Sequence, residues 1–240
     1  MNARVMSLVL ILALFAGNRI VESGEDGFTL LFNGKDLSGW KTTDDILAHW
    51  KVEEGVIDYD SQCKGQTKDL WTEKSFDDFV LKLEWMQPEP EESHRKPMFP
   101  IRRDGRLTPP RGPRRMVQIV YAGDSGVYLR GSKKARVNIW SHPSGSGGIK
   151  AYRLDEEVPQ KIRGGATAQT SEDNKVGEWN TFEITVKGNR VSVKLNDKLV
   201  VDYAELPGLP ERGPIALVHD GDPKHPRHIQ FRNIEIKELK

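Results

Sequence analysis

Strict alternation of apolar and polar residues is the feature that most limits how this chain can fold. Residues 180–203 read NTFEITVKGNRVSVKLNDKLVVDY, with apolar side chains at nearly every second position. That spacing turns one face of a β-strand to a core and the other to solvent. The pairs Gly188-Asn189 and Asn196-Asp197 interrupt the pattern, and such pairs form two-residue hairpin turns. The stretch therefore predicts a double hairpin of three antiparallel strands.

The rest of the chain repeats this pattern, and no long segment has the 3.6-residue period of a helix. FDDFVLKLEW at residues 76–85 alternates in the same way. We predict further strands at residues 28–32, 50–59, 116–121, 147–152, 214–219 and 228–238. A short helical turn is predicted near residues 43–48. About ten to twelve short antiparallel strands predict an all-β sandwich or jelly roll.

The N-terminus has the pattern of an export signal. Arg4 precedes an uncharged apolar run over residues 5–16, which is typical of a secretory signal peptide. The run is shorter than the roughly 20 apolar residues that a membrane-spanning helix needs. We predict a signal peptide over residues 1–23 and one mature domain over residues 24–240. The protein would be secreted or periplasmic, with no membrane association after the signal is cleaved.

Charge and cysteine content limit the classes of partner and site. The formal net charge is +1, and removing the predicted signal peptide brings it to zero. Nucleic acid and anionic membranes are therefore not predicted partners. Cys63 is the only cysteine, which excludes an intramolecular disulfide and a cysteine zinc motif. We interpret Cys63 as a small buried apolar residue.

Residues 88–115 do not follow the alternation. They hold seven of the 14 prolines and many arginines. Because proline cannot donate a hydrogen bond to a sheet, we predict a long loop inserted between two strands. Such a loop is either solvated and passive or a lid over one face of a sheet, and the composition does not decide between these alternatives.

Residues 123–140, GDSGVYLRGSKKARVNIW, combine an aliphatic face with an unusual polar one. The aliphatic face carries Val127, Leu129, Val137 and Ile139. The other face carries Tyr128, Arg130, Arg136, Asn138 and Trp140. Aromatic rings stack on the apolar face of a sugar, while arginine and asparagine can hydrogen-bond to its hydroxyls. This face predicts a carbohydrate groove. The alternative is that a loop covers Trp140 and that Arg130 pairs with a structural carboxylate.

Two histidines, His142 and His219, are candidate general bases because each is predicted to lie at the end of a strand. A group of possible metal ligands surrounds the second one: His219, Asp220, Asp222, His225 and His228. Their spacing matches no short metal motif, so we predict no metal site and no cofactor. The paired carboxylates of an ordinary glycosidase are not evident either.

Several segments together resemble one known family, the 3-keto-disaccharide hydrolases. They are FTLLFNGKDLSGW, GDSGVYLRG, VNIWSHPSGSGGI, VGEWNTFEITVKGNRVSVKLND, GPIALVHDGDP and IQFRNIEIKEL, in this order. The resemblance covers nearly the whole mature chain. It implies a concanavalin- or laminarinase-like jelly-roll sandwich, which agrees with the alternation.

The resemblance also implies a reaction on oxidised (3-keto) glycosides or oligosaccharides. A ketone at C3 of the sugar makes the C2 proton acidic, so that a base can remove it. The C1 leaving group then departs by elimination, and water adds. Such a route needs a base, a donor to the enolate oxygen and an acid for the leaving oxygen. Paired carboxylates are not required.

The reading of the residues and the positions that match the family together suggest roles for nine residues. Arg130 would bind the ketone or enolate oxygen, and His142 or His219 would be the base. Substrate would be bound by Asp124, Ser125, Tyr128, Asn138, Trp140 and Asp220. The chain departs from the family pattern at Val218, where glutamine is usual. The alternatives are a non-catalytic carbohydrate-binding jelly roll and a structural module. A histidine close to Arg130 would favour the enzyme.

Overall fold

Two antiparallel β-sheets that share one apolar core form the body of the domain. The computed structural model describes residues 27–62, 68–90, 95–106, 116–220 and 227–240. The predicted signal peptide, Cys63, Asp222 and His225 lie outside these ranges.

The described residues contain fourteen strands, which we number in chain order. They are β1 Thr29–Leu30, β2 Trp50–Glu53, β3 Val56–Tyr59, β4 Leu70–Phe76, β5 Phe79–Met86, β6 Arg95–Met98, β7 Val117–Val120, β8 Asp124–Leu129, β9 Ser132–Trp140, β10 Asn180–Lys187, β11 Arg190–Leu195, β12 Lys198–Glu205, β13 Gly213–His219 and β14 Ile229–Glu238. The larger sheet has the order β12-β11-β10-β5-β14-β3-β2, and β1 also pairs with β14. The smaller sheet has the order β4-β13-β8-β9.

The alternation seen in the sequence decides which side chains fill the core. Val127, Val137 and Ile139 of the smaller sheet are fully buried, as are Phe182 and Ile184 of the larger one. These residues belong to one continuous apolar cluster. The predicted all-β jelly-roll sandwich is confirmed, and so is the double hairpin formed by β10, β11 and β12.

The described ranges contain three helices, and all are short. They are α1 Asp44–His49, α2 Lys150–Leu154 and α3 Gln160–Gly165. The side chain of Thr43 caps α1 by accepting a hydrogen bond from the Ile46 amide, so the predicted helical turn is confirmed. No helix in the described ranges is long and apolar enough to cross a membrane.

The strand predicted at residues 147–152 is wrong. Only Ile149 keeps a bridge to Val137, and the chain then enters α2. Gly145 and Gly147 have φ values of 80° and 97°, which lie outside the range of an extended strand. The apolar residues of this segment therefore pack from a glycine-rich loop and one helical turn.

The loop predicted over residues 88–115 contains part of a β-ribbon, so the prediction was incomplete. β6 pairs with β7, and Pro97 stands opposite Gln118. Proline is tolerated there because a two-stranded ribbon leaves one edge of each strand unpaired. The ribbon continues into a segment that is hydrogen-bonded to the body of the protein, from the Ile101 amide to Ser144 Oγ (2.8 Å) and from Arg103 to the Ala168 carbonyl (2.8 Å).

Arg130 ties together several turns at one end of the sandwich. With Gly131 it forms the two-residue turn between β8 and β9, and both residues have positive φ (48° and 73°), as a type I′ turn requires. Its guanidinium donates to the carbonyls of Asp77, Gly188 and Pro210 and to the carboxylate of Asp78. The side chain is only 1% exposed. These contacts link turns of both sheets.

We predict that Arg130→Met lowers the free energy of unfolding by about 2–4 kcal/mol, because three carbonyls lose a buried donor. Arg212→Met is the matched control, since Arg212 bonds the same turn through Asp77 but is half exposed. The control should change stability by no more than about 0.5 kcal/mol. Urea unfolding measures both variants. Equal stability losses would contradict the role of Arg130 as a link between turns.

Candidate functional site

The outer face of the smaller sheet carries most of the polar residues singled out in the sequence. In the register of β8 and β9, Asp124 is opposite Trp140, Gly126 is opposite Asn138, and Tyr128 is opposite Arg136. Because side chains alternate, these six residues share the face that points away from the core. We call this surface the polar face.

Arg136 organises the polar face through charged hydrogen bonds. Its guanidinium donates to Asn138 Oδ1 (3.0 Å), to Asp220 Oδ2 (2.5 Å) and to Asp124 Oδ1 (2.9 Å). Lys150, from α2, donates to the other oxygen of Asp124 (3.0 Å). Asp124 and Asp220 therefore engage structural cations, a contact that competes with their predicted role in binding substrate.

Gly126 makes room for this arginine. A Cβ atom at this position would lie 2.3 Å from the Val137 carbonyl oxygen and 2.8 Å from Arg136 Cγ. Such contacts are too short for any side chain, so the stem of Arg136 crosses the strand where residue 126 has none. At the end of the polar face that is farther from Trp140, Tyr128 stacks on Trp71 of β4, with ring centroids 5.7 Å apart.

Ser125 and His219 do not lie on the polar face. They are opposite each other in β8 and β13, and they share a hydrogen bond between Ser125 Oγ and His219 Nδ1. Both are fully buried, and the His219 ring meets Tyr59 of the larger sheet edge-on. The predicted roles of Ser125 in substrate binding and of His219 as a base do not fit this position between the sheets.

Arg130 is also distant from the predicted site residues at the other end of β8. It follows the last residue of β8, whereas Asp124 is the first, and six residues of extended chain span about 20 Å. None of its hydrogen-bond partners in the described chain is a histidine. The prediction that Arg130 binds the substrate ketone is therefore wrong in its geometry. The alternative, pairing with a structural carboxylate, is what the structure contains.

Trp140 and His142 form a rigid pair at the end of β9. Their rings are stacked with centroids 4.4 Å apart and an interplanar angle of 22°. The Trp140 indole donates to the Gly145 carbonyl (2.6 Å), and the Ser144 amide donates to His142 Nδ1 (3.1 Å). One face of Trp140 is thus covered by His142, so that face is not a free platform for a sugar.

The hydrogen bond to Nδ1 decides what His142 can do. A nitrogen that accepts from a backbone amide carries no hydrogen, so in the neutral ring Nε2 carries it. Burial lowers the pKa of His142 to about 4, and the positive charges of Arg153 and Lys150 add to this effect. The ring is therefore neutral at ordinary pH and offers an Nε2–H donor. This tautomer is not suited to the predicted role of general base.

His142 and Trp140 line a pocket with a volume of about 540 Å³. The pocket lies between the ends of β5 and β9, the β6–β7 ribbon and the loop that precedes β10. Residues of these four segments line it, among them Trp85, Gln87, Arg95, Ile119, Ser141, Asp173, Lys175 and Glu178. Its volume is in the range of small-molecule sites.

Asp173 is a pocket residue that the sequence analysis missed. Its carboxylate accepts hydrogen bonds from the Ser146 amide at 2.9 and 3.2 Å. Burial raises the pKa of Asp173 above its ordinary value, and the hydrogen bonds from Ser146 offset this only in part. A carboxylate with a raised pKa is a stronger base than a solvated one. The polar loop sequence around it, SEDNK, gave no signal for this role.

The described residues contain no group of three or more histidine, cysteine, aspartate or glutamate side chains that could hold a metal ion. His228, from the predicted histidine group, is paired with Asp58 (2.8 Å). Asp222 and His225 are outside the described chain, so the structure says nothing about them.

Fold and pocket together define a jelly-roll domain with a pocket at one end of its smaller sheet. The model of the 3-keto-alpha-glucoside-1,2-lyase-like domain matches residues 27–237. The chain therefore belongs to this family of carbohydrate-active proteins, and its ligand is a saccharide. No protein of curated function matches the sequence.

Solved structures from Parabacteroides distasonis ATCC 8503 share the fold. Two of them are candidate glycosyl hydrolases. One is 22% identical, with a TM-score of 0.59 and coverage of 89% of this chain and 84% of the other. The second is 21% identical, with a TM-score of 0.57 and coverage of 89% and 94%. At this level of identity the likeness establishes the fold alone.

We predict that buried His219 makes the protein sensitive to acid. Burial lowers its pKa to about 4, whereas an unfolded histidine titrates near about 6.5. Between these values the unfolded chain binds more protons, so stability falls as the pH falls, by up to about 1.4 kcal/mol per pH unit. Urea unfolding at several pH values measures the slope.

The variant His219→Gln removes this titration and leaves the carboxylates unchanged. The difference between the two proteins should therefore appear below about pH 6.5 and level off below about pH 4. Parallel stability profiles for the variant and the unchanged protein across this interval would contradict the prediction.

Proposed function

We propose that this protein cleaves 3-keto glycosides by elimination, in the pocket that His142 and Asp173 line. The observation that carries the proposal is the fixed, neutral His142 ring, stacked on Trp140 with its Nδ1 already engaged. Family membership supports a saccharide substrate. We further propose that the substrate carries a ketone at C3. Elimination beside such a ketone needs no pair of glycosidase carboxylates.

His142 would serve as the donor to the C3 oxygen. A neutral imidazole can stabilise a developing enolate because its N–H group is fixed in place before reaction. The hydrogen bond of the His142 ring in the described chain uses Nδ1, so the Nε2–H group is available to a ligand. In this reading the donor role once assigned to Arg130 passes to His142.

Asp173 would serve as the base. It would take the C2 proton, and the electron pair of the C2–H bond would form the enolate of the C3 ketone. As the carbonyl re-forms, a double bond develops between C1 and C2 and the C1–O bond breaks. The proton held by Asp173 is then available to the leaving oxygen. Addition of water across the new double bond would complete a net hydrolysis.

The decisive experiment compares 3-keto-trehalose with unoxidised trehalose as substrates of the purified protein. We expect free sugar, or the unsaturated keto sugar, from the oxidised substrate only. Cleavage of trehalose itself would contradict the elimination route. Binding of the oxidised sugar without turnover would instead support the alternative of a carbohydrate-binding module.

Two variants test the roles within the pocket. His142→Phe keeps a ring on Trp140 but removes the donor, and it should lower kcat by about 10²–10³. Asp173→Asn removes the base and should lower kcat by about 10²–10⁴. His228→Phe is the control, because His228 is outside the pocket and half exposed. Steady-state kinetics measure all three, and near-normal turnover by His142→Phe would contradict its role.

The pH dependence should follow Asp173. Because burial raises the pKa of this carboxyl group, kcat/KM should decline on the acid side at a pH above the ordinary range for aspartate. Protonated Asp173 cannot accept the C2 proton. A kcat/KM profile without an acid limb would count against this assignment.

Export also forms part of the proposed function, because an oxidised sugar would then be met outside the cytoplasm. The apolar run at residues 5–16 supports it. Intact mass measurement of the protein recovered from its native cell tests the proposal. A mature chain that begins near residue 24 is expected, and a chain that retains residues 1–23 would contradict it.

A further inference from the structure

A small recess beside Trp140 is lined by two side chains, Asn138 and Arg153, that have unused hydrogen-bond donors. It has a volume of about 10 Å³, and its walls include Asn138, Trp140, Lys150 and Arg153. This is room for about one oxygen-sized group. The recess lies on the side of the polar face, where α2 packs against β9, and it shares only Trp140 with the larger pocket.

Asn138 provides the first unpaired donor. It is 1% exposed, and its Oδ1 already accepts from Arg136 (3.0 Å). Its Nδ2 is buried and has no hydrogen-bond partner in the part of the chain that the structure describes. Leaving a buried amide donor unpaired is costly, so an acceptor at this position would be favoured.

Arg153 provides the second unpaired donor. Burial lowers the pKa of its guanidinium, and Cζ lies 5.8 Å from the centroid of the Trp140 ring. Within the described ranges its guanidinium makes neither an ion pair nor a hydrogen bond; only the backbone amide of Arg153 is bonded, to the Ile149 carbonyl. A partly desolvated cation of this kind favours an anion over a neutral acceptor.

The surrounding charge points in the same direction. Lys150 is 5.9 Å from the Trp140 ring, and its own partner, Asp124, is shared with Arg136. The positive charges of Arg153 and Lys150 both lower the pKa of His142. Two cationic side chains therefore lie over the Trp140 ring, and only Lys150 has a carboxylate partner in the described ranges.

We propose that this recess binds the carboxylate of an acidic saccharide, such as a uronic acid residue. One oxygen would enter the recess and accept from Asn138 Nδ2, and the other would stay at its opening and face Arg153. A saccharide carboxylate fits better than a tetrahedral inorganic anion, because the recess admits about one oxygen and offers two donors. The partly exposed Trp140 side chain also lines the recess, and an aromatic ring can contact a sugar ring. The inference concerns binding alone and does not depend on the 3-keto reaction.

Calorimetry with three probes tests the proposal: a disaccharide that ends in glucuronic acid, its neutral glucose counterpart, and acetate. We expect the acidic disaccharide to bind at least about tenfold more tightly than the neutral one. The difference should shrink as salt is raised, because charge interactions are screened. Acetate should bind weakly, since it lacks the sugar ring. Equal affinity for the two disaccharides would overturn the proposal.

Variants assign the effect to the recess. Arg153→Met should abolish the preference for the acidic probe, whereas Arg153→Lys should retain part of it. Lys161→Met is the matched control, since it removes one positive charge from the exposed surface of α3 and should leave the preference unchanged. If Arg153→Met keeps the preference, the proposal is wrong.

Asn138→Asp keeps the test decisive even if Arg153→Met does not fold. It is nearly isosteric and places a carboxylate beside Arg153, so the recess would supply its own anion. We expect the preference for the acidic disaccharide to disappear while the melting temperature is maintained. An Asn138→Asp protein that still prefers the acidic probe would overturn the proposal.

Discussion

The buried guanidinium of Arg130 is the contact on which the arrangement of the two sheets depends most visibly. It joins the β8–β9 turn of the smaller sheet to the Asp77–Asp78 turn between β4 and β5 and to Gly188 in the β10–β11 turn. Asp78 also accepts from the Gly188 amide (2.7 Å). A planar group with several fixed donors can satisfy carbonyls from different directions at once, which a lysine cannot do. One end of the sandwich is therefore fixed, and the opposite end carries the pocket.

At that opposite end, polar side chains are fixed by contacts with neighbouring protein groups. Arg136 is held by two aspartates and His142 by Trp140 and the Ser144 amide, while Asp173 is held by the amide of Ser146. The glycine-rich loop after β9 supplies the last two amides, because it folds back over the end of the strand. Fixed donors and a neutral histidine suit a reaction in which negative charge develops on a sugar oxygen. The same surroundings leave Arg153 and Asn138 with unused hydrogen-bond donors. These donors suit an anion in the recess beside Trp140.

Six of the predicted site residues fall into three groups, because their side chains point in three different directions. Tyr128, Asn138 and Trp140 were placed correctly on one face, because alternation along a strand determines that face. Arg130 was expected to continue the alternation, but Arg130-Gly131 is a hairpin turn, and a positive φ redirects the side chain. The glycine at position 131 was the signal that could have revealed this. Ser125 and His219 follow the alternation as well, and applying it to them strictly predicts the core face on which they lie.

The sequence by itself determined the β-sandwich, its core and its hairpins, because period-two patterning and turn residues are local properties of the chain. It also determined the family, through motifs distributed over the whole domain. Only the tertiary structure decided that His142 is a neutral donor, that Asp173 lies in the same pocket, and that Arg153 lies beside Asn138. These facts depend on which segments distant in sequence meet, and on how far each group is removed from water. Protonation and hydrogen-bond pairing follow from that burial, and no local pattern in the sequence records it.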